Sequence, residues 1–158
     1  MAGNFTINET INTLKAIFEK HKNERVCVLG TMCCGKTTLL QYFPDCVDID
    51  DVAFRDITNT ERAFISQTPW TKEIGDAVDR IVYEKVQIQQ GRPMFGTVIL
   101  DCEVVIYLDI SNELLAEHCQ KRGVDLTDSL NMKEAIEQDW NEHREKMEKI
   151  FYYVMMLE

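Results

Sequence analysis

The chain has 158 residues, the size of one ordinary domain, with 45% hydrophobic and 28% charged residues and no low-complexity run, which excludes intrinsic disorder and predicts a single core. Its formal net charge of -10 disfavours a nucleic-acid partner, because duplex binding rests on Lys and Arg neutralising phosphates. No apolar run approaches the ~18 residues of a spanning helix, so no membrane partner is expected, and residues 1–12 lack a signal-peptide pattern, which points to a cytoplasmic protein with reduced thiols.

In chain order, residues 6–22 place Ile7, Ile11, Leu14, Ile17 and Phe18 at helical spacing, with Thr6 or Asn8 available as a cap and Lys20, His21 and Lys22 at the far end. This spacing predicts an N-terminal amphipathic helix. The short β-branched run 26–29, ended by Gly30, fits a strand buried on both faces, and 35–42 then reads as a helix. A second short strand is expected at 46–49, closing on the acidic cluster Asp48, Asp50 and Asp51. Ile74, Val78, Ile81, Val82 and Val86 give helical periodicity over 73–90, where Gly91 and Pro93 end it.

Residues 94–100 look strand-like, yet only 101–103 separate them from the strongest strand signal, 104–110. A parallel neighbour needs a crossover of about a dozen residues, so both cannot be full parallel strands. The preferred solution is a short strand at 93–96 with 97–102 running back across the sheet end; a β-hairpin is the alternative. A helix over 111–121 capped by Ser111 or Asn112, a longer polar helix over 128–149 and a last strand over 151–157 complete the order. Strands alternating with helices imply one α/β domain with a mainly parallel sheet and right-handed crossovers.

Cys27, Cys46, Cys102 and Cys119 are scattered, Cys33 and Cys34 are adjacent, and no pair has zinc spacing, so small buried hydrophobe is their expected role. His21, His118 and His143 fall on polar helix faces without ligand or triad spacing and are expected at the surface.

The segment Gly30-Thr31-Met32-Cys33-Cys34-Gly35-Lys36-Thr37 matches G-x-x-x-x-G-K-[ST], follows an apolar strand and opens a helix. In that pattern the loop N–H groups ring the β-phosphate of a nucleotide and the two glycines permit the backbone its turns. Lys36 bridges the β- and γ-phosphates, the Thr37 hydroxyl ligates Mg²⁺, and Thr38 reaches the α-phosphate. ATP with Mg²⁺ is therefore the expected ligand; no N-K-x-D element for guanine follows any strand.

At these residues the chain resembles the small P-loop kinases, the group of shikimate kinase, gluconate kinase and the nucleoside monophosphate kinases, by element order from about Arg25 to the C-terminus. The resemblance implies a three-layer sandwich around a five-stranded parallel sheet in the order 2-3-1-4-5, with a lid over ATP. Asp48-Ile49-Asp50-Asp51 resembles the D-x-D element of shikimate-kinase-like enzymes, which implies Mg²⁺-holding and acceptor-facing roles for Asp48 and Asp50, with Asp51 in competition. Lys121 and Arg122 stand where the group carries lid arginines, and Arg144 sits like a second such arginine in the closing helix. The group's glycine triplet and the D-R-[SY] element of deoxynucleoside kinases are missing after the third strand, so the acceptor is not identified.

Two segments, 97–101 and 105–109, offer four residues ending in Asp101 or Asp109 as an ATPase metal site, and buried strands ending in turns explain both equally. Arg55 and Arg62, just after the acidic turn, suit an anionic small-molecule acceptor and equally suit a solvated surface. Two functions follow: an ATP-dependent small-molecule kinase with Lys36, Asp48 and Asp50 as catalytic residues, or a nucleotide-binding or ATPase module that regulates a partner. The sequence carries no signal of oligomeric state.

Overall fold

The computed structural model describes residues 7–157. At its centre lies β1 (Val26–Leu29), every residue of which is buried. Parallel neighbours flank it: β3 (Met94–Gly96), paired Cys27 to Met94, and β4 (Val104–Ile110), paired Val26 to Val104. β2 (Val47–Asp48) adds outside β3, and β5 (Phe151–Leu157) outside β4, giving a five-stranded, all-parallel sheet in the order β2-β3-β1-β4-β5.

A strand's side chains alternate between faces, and both faces of this sheet are covered. Val26 and Val28 of β1 join Ile11, Leu14 and Ile17 of α1 (Ile7–Lys20), Leu39 of α2 (Lys36–Leu40) and Leu115 of α6 (Asn112–Arg122) in one core. Cys27 and Leu29 join Ile49 and Ala53 of α3 (Ile49–Ala53), Ile81 and Val82 of α5 (Lys72–Lys85), and Ile136 and Trp140 of α7 (Leu126–Lys146) in the other. The three-layer α/β arrangement and strand order are those expected from the sequence.

The short path from β3 to β4 takes the run-back form, not the hairpin. Arg25, just before β1, ties down its end: Nη1 donates to Asp101 Oδ2 at 3.0 Å, while Nε and Nη2 grip the Glu103 carboxylate. The guanidinium holds the Glu103 carboxyl below its usual range. Asp101 thus sits at the amino end of β1, opposite the Gly30 loop, and is excluded as a metal-site partner of that loop.

Several boundaries differ from expectation. The helix expected over 35–42 is only Lys36–Leu40, and the strand at 46–49 shrinks to two residues because Asp48 accepts the N–H of Asp50 and starts α3. The helix read as 73–90 ends at Lys85, since Val86 is extended and Gly91, at φ +74°, makes a turn. The 128–149 helix runs Leu126–Lys146. α4 (Asn59–Ile65) had no expectation; a capping box between Thr58 and Glu61 starts it, and it buries no residue. Thr6, one of the two caps considered for α1, lies outside the described residues.

The histidines are not surface residues. His21 is 3% exposed, with Nδ1 2.6 Å from Glu24 Oε1 and Nε2 2.8 Å from the Tyr153 hydroxyl, because the end of α1 packs over β5. His118 and His143 are half-buried. Five of the six cysteines are buried and Cys46 is half-buried, as expected of small hydrophobes. Among the described residues, no helix is long and apolar enough to cross a membrane.

Candidate functional site

The chain leaves β1 toward one edge of the sheet and returns to its other side at β4, so a crevice opens at the carboxyl end of β1. The segment 30–37 fills its rim. Gly30 N–H donates to Gly96 O at 3.0 Å, extending the β1–β3 ladder into the loop. A Cβ on Gly30 would stand 2.6 Å from Cys34 Sγ, so the loop folds back on itself only with glycine there. Two further residues are left-handed, Cys33 at φ +64° and Gly35 at φ +107°; the second is the residue before α2, where no side chain caps the helix. The first N–H groups of a helix have no partner inside it, and α2 begins directly at the end of this loop.

Three ties hold the loop to the α6–α7 layer. Thr31, buried, donates Oγ1–H to Ser129 O at 2.9 Å. His118 Nδ1 lies 2.7 Å from Cys33 O, and since a carbonyl only accepts, that nitrogen carries the proton. Met32 N–H points at Met132 Sδ, 3.4 Å away. The sequence places His118 at the surface and gives Ser129 no role; they lie 85 and 98 residues from their partners.

Lys36 folds over its own loop. Its ammonium donates to Gly30 O at 2.6 Å and Thr31 O at 2.7 Å, with Cys34 Sγ at 3.7 Å. A cation is thereby held at the mouth of the loop, ready to exchange a carbonyl for a stronger anionic acceptor.

Beyond the loop opens a cleft of about 420 Å³. Of the residues selected from sequence, Met32, Cys33, Gly35, Lys36, Thr37, Asp48, Asp50, Arg62 and Arg122 line it. Asp48 and Asp50 arrive there because β2 ends beside β3, where Asp48 pairs with Phe95 and Phe95 in turn pairs with Val28 of β1, two residues before Gly30. Asp50 keeps an open surface toward the cleft, but the enclosing walls thin its water: its carboxyl is pushed above the ordinary range by lost solvation, then by Asp48, with Lys36 pulling the other way. Asp48 is raised too, first by burial, against the Asp50 N–H bond and Lys36.

The remaining candidates fall elsewhere. Gly30, Thr31 and Cys34 build the loop from behind the cleft. Arg55 is exposed off the cleft, and Asp51 does not line it. Arg144 lies 5.5 Å over the Trp140 ring, so it is not brought to the cleft. Asp109 stands 4.0 Å from Lys133 Nζ, also off the cleft. Thr38 lines a second cavity of about 230 Å³ with Gly35, Leu114, His118 and Leu157. The two cavities meet at Gly35.

Sequence reading missed the far wall of the cleft, formed by Phe54, Ile65, Trp70, Val78, Thr97 and Met132. Thr97 alone had a signal, following a predicted strand end. Among the described residues no three His, Cys, Asp or Glu side chains form a protein-only metal cage. The Thr37 hydroxyl and the Asp50 carboxylate line one cleft, and both are hard oxygen donors of the kind Mg²⁺ takes in small number beside phosphate or water oxygens. The chain matches no protein-family model, and no curated protein is similar enough to it to count as a relative.

Proposed function

We propose that the chain is an ATP-dependent phosphotransferase acting on a small hydroxyl-bearing acceptor, with segment 30–37 as a P-loop. The observation that carries this reading is the meeting of Lys36 and Thr37 with Asp48 and Asp50 on one cleft, although β1 and β2 are separated in the sheet by β3. A phosphate-binding lysine beside an acidic pair at about 420 Å³ of open volume is the equipment of phosphoryl transfer, where catalysis is mostly positioning and charge stabilisation.

In this mechanism the loop amides and Lys36 hold the β- and γ-phosphates, and Arg122 adds charge from the α6 side. Thr37 and Asp50 would hold Mg²⁺, which when bound would neutralise charge on the transferring group. Asp50 would orient the acceptor hydroxyl and take its proton as the bond from that oxygen to the γ-phosphorus forms and the bond from the γ-phosphorus to the β-phosphate oxygen breaks, with ADP as the leaving group. Asp48 keeps α3, and with it Asp50, in place. Adenine suits the second cavity, where Leu114 and Leu157 offer apolar contact and no carboxylate among its lining residues awaits the donors of guanine.

A nucleotide-dependent regulatory module is the other reading, favoured by the position of Arg144, which leaves Arg122 as the one arginine of the α6–α7 layer lining the cleft. The experiment is ATP turnover by purified protein with and without a pool of small metabolites, with products identified by mass. Stimulation and a phosphorylated product support the transferase. ATP binding with no stimulation by any pool supports the module.

A further inference from the structure

The acceptor end of the cleft has a chemical character of its own. Its far wall is apolar, built from Phe54 after α3, Ile65 of α4, Trp70, Val78 of α5 and Met132 of α7. Trp70 is the fixed element of that wall. Its backbone N–H donates to Asp128 Oδ1 at 2.9 Å, and Asp128, 6% exposed, is buried at the start of α7. Its ring lies on Gly75 so closely that a Cβ there would stand 2.6 Å from Trp70 Cζ2. An aromatic residue anchored through its backbone and packed against a glycine presents a preorganised ring at little entropic cost to a ligand.

Charge at this end is opposed to an anion. Asp48 and Asp50 face the cleft, and Arg62 already donates Nη2–H to Phe54 O at 3.1 Å. Lys36 and Arg122 are taken by the nucleotide phosphates in the proposed reaction. An acceptor bearing phosphate or carboxylate would meet two carboxylates with one tethered cation to offset them, and like charges at such range are discriminated against strongly.

We infer that the acceptor is an uncharged alcohol carrying a flat aromatic body, which lies against Trp70 and Phe54 and turns its hydroxyl toward Asp50. The volume of about 420 Å³, part of it needed for the γ-phosphate, limits that body to the size of a nucleoside or smaller. The inference rests on the phosphotransferase reading of the same cleft, but it is tested by binding, which needs no turnover.

Thymidine and pyridoxine serve as neutral probes, with their phosphate esters and gluconate as anionic counterparts, titrated calorimetrically with and without saturating ADP and Mg²⁺ so that the base cavity is filled. At least one neutral probe is expected to bind about tenfold or more tighter than its phosphate ester. Trp70→Ala should weaken it about tenfold and Trp70→Phe by about threefold or less. Tighter binding of the anionic partner, equal binding by Trp70→Ala and the parent, or no binding by either neutral probe overturns the inference. Neutral-probe binding with no phosphoryl transfer to that probe would count against the transferase and leave the binding class standing. Transfer stimulated only by anionic acceptors would do the reverse.

Discussion

Asp48 Oδ1 accepts the N–H of Asp50 at 3.0 Å, so two carboxylates two residues apart on one cleft have different duties. Asp48 is the cap of α3, and Asp50 is the carboxylate in the capped turn, on the same cleft as Lys36. Asp48→Ala should therefore cost about 1 kcal/mol of stability, read from urea unfolding. Asp48→Asn, which still caps, should lose much less. Equal loss in both would mean that the negative charge, not the cap, is what α3 needs.

Asp50→Asn should leave ATP affinity within about threefold and lower phosphoryl transfer about a hundredfold, because an acid-base role is expressed mainly in the transition state. Since loss of solvation and Asp48 raise the Asp50 carboxyl, its titration followed by NMR with Mg²⁺ chelated should lie above the usual carboxylate range. Parental turnover in Asp50→Asn removes Asp50 from the chemistry.

Lys36 holds two loop carbonyls at 2.6 and 2.7 Å without nucleotide. Lys36→Ala should weaken binding of ATP with Mg²⁺ about a hundredfold, or ~2.7 kcal/mol, and abolish most of the ligand-induced rise in melting temperature. Unaltered affinity in that variant would disprove the phosphate-binding assignment of the loop.

Asp79 lies behind Trp70 in a small pocket shared with Asp139, and burial followed by Asp139 raises its pKa from 3.8 to about 6. A carboxyl raised on folding makes the folded state bind the extra proton. Its penalty is therefore full above pH 6, shrinks as pH falls toward 3.8, and is absent below. Asp79→Asn should stabilise the protein by about 1–2 kcal/mol at pH 7.5 and by less at pH 5. Urea midpoints of parent and variant at the two pH values give the comparison, and a constant difference would show that Asp79 is ordinarily solvated.

Gly96 ends β3 directly beneath Ile49, and a Cβ there would stand 2.6 Å from Ile49 Cδ1 and 3.0 Å from Ile49 Cβ. Ile49 is fully buried, so it has little room to give way. Gly96→Ala should destabilise by about 1–3 kcal/mol and, by displacing α3, raise the KM for acceptor more than the Kd for ATP. Loss of stability without that split would mean that α3 moves as a unit and keeps Asp50 in place.

The sequence alone marked the strands, the longer helices, the glycine-bracketed loop and the acidic turn, but neither α3 nor α4. Each depends on neighbours within a few residues: VCVL and VVIYLDI favour strands through β-branched side chains, and Gly35 can adopt a left-handed φ wherever the chain lies. Strand order followed from the resemblance, while crossover length limited the 97–103 connection to a run-back or a hairpin and the structure takes the run-back. Tertiary structure decided what those signals could not reach. His21 is buried because Tyr153, 132 residues away, closes over it, and Trp70 forms a wall because Asp128, 58 residues away, holds its backbone. Arg144, which the resemblance marks as a second nucleotide arginine, lies over Trp140 one turn earlier in the same helix and does not line the cleft. Periodicity reports which side of an element is apolar; the residues that share a cavity are set by how separate elements pack, and that information is spread over contacts between distant parts of the chain.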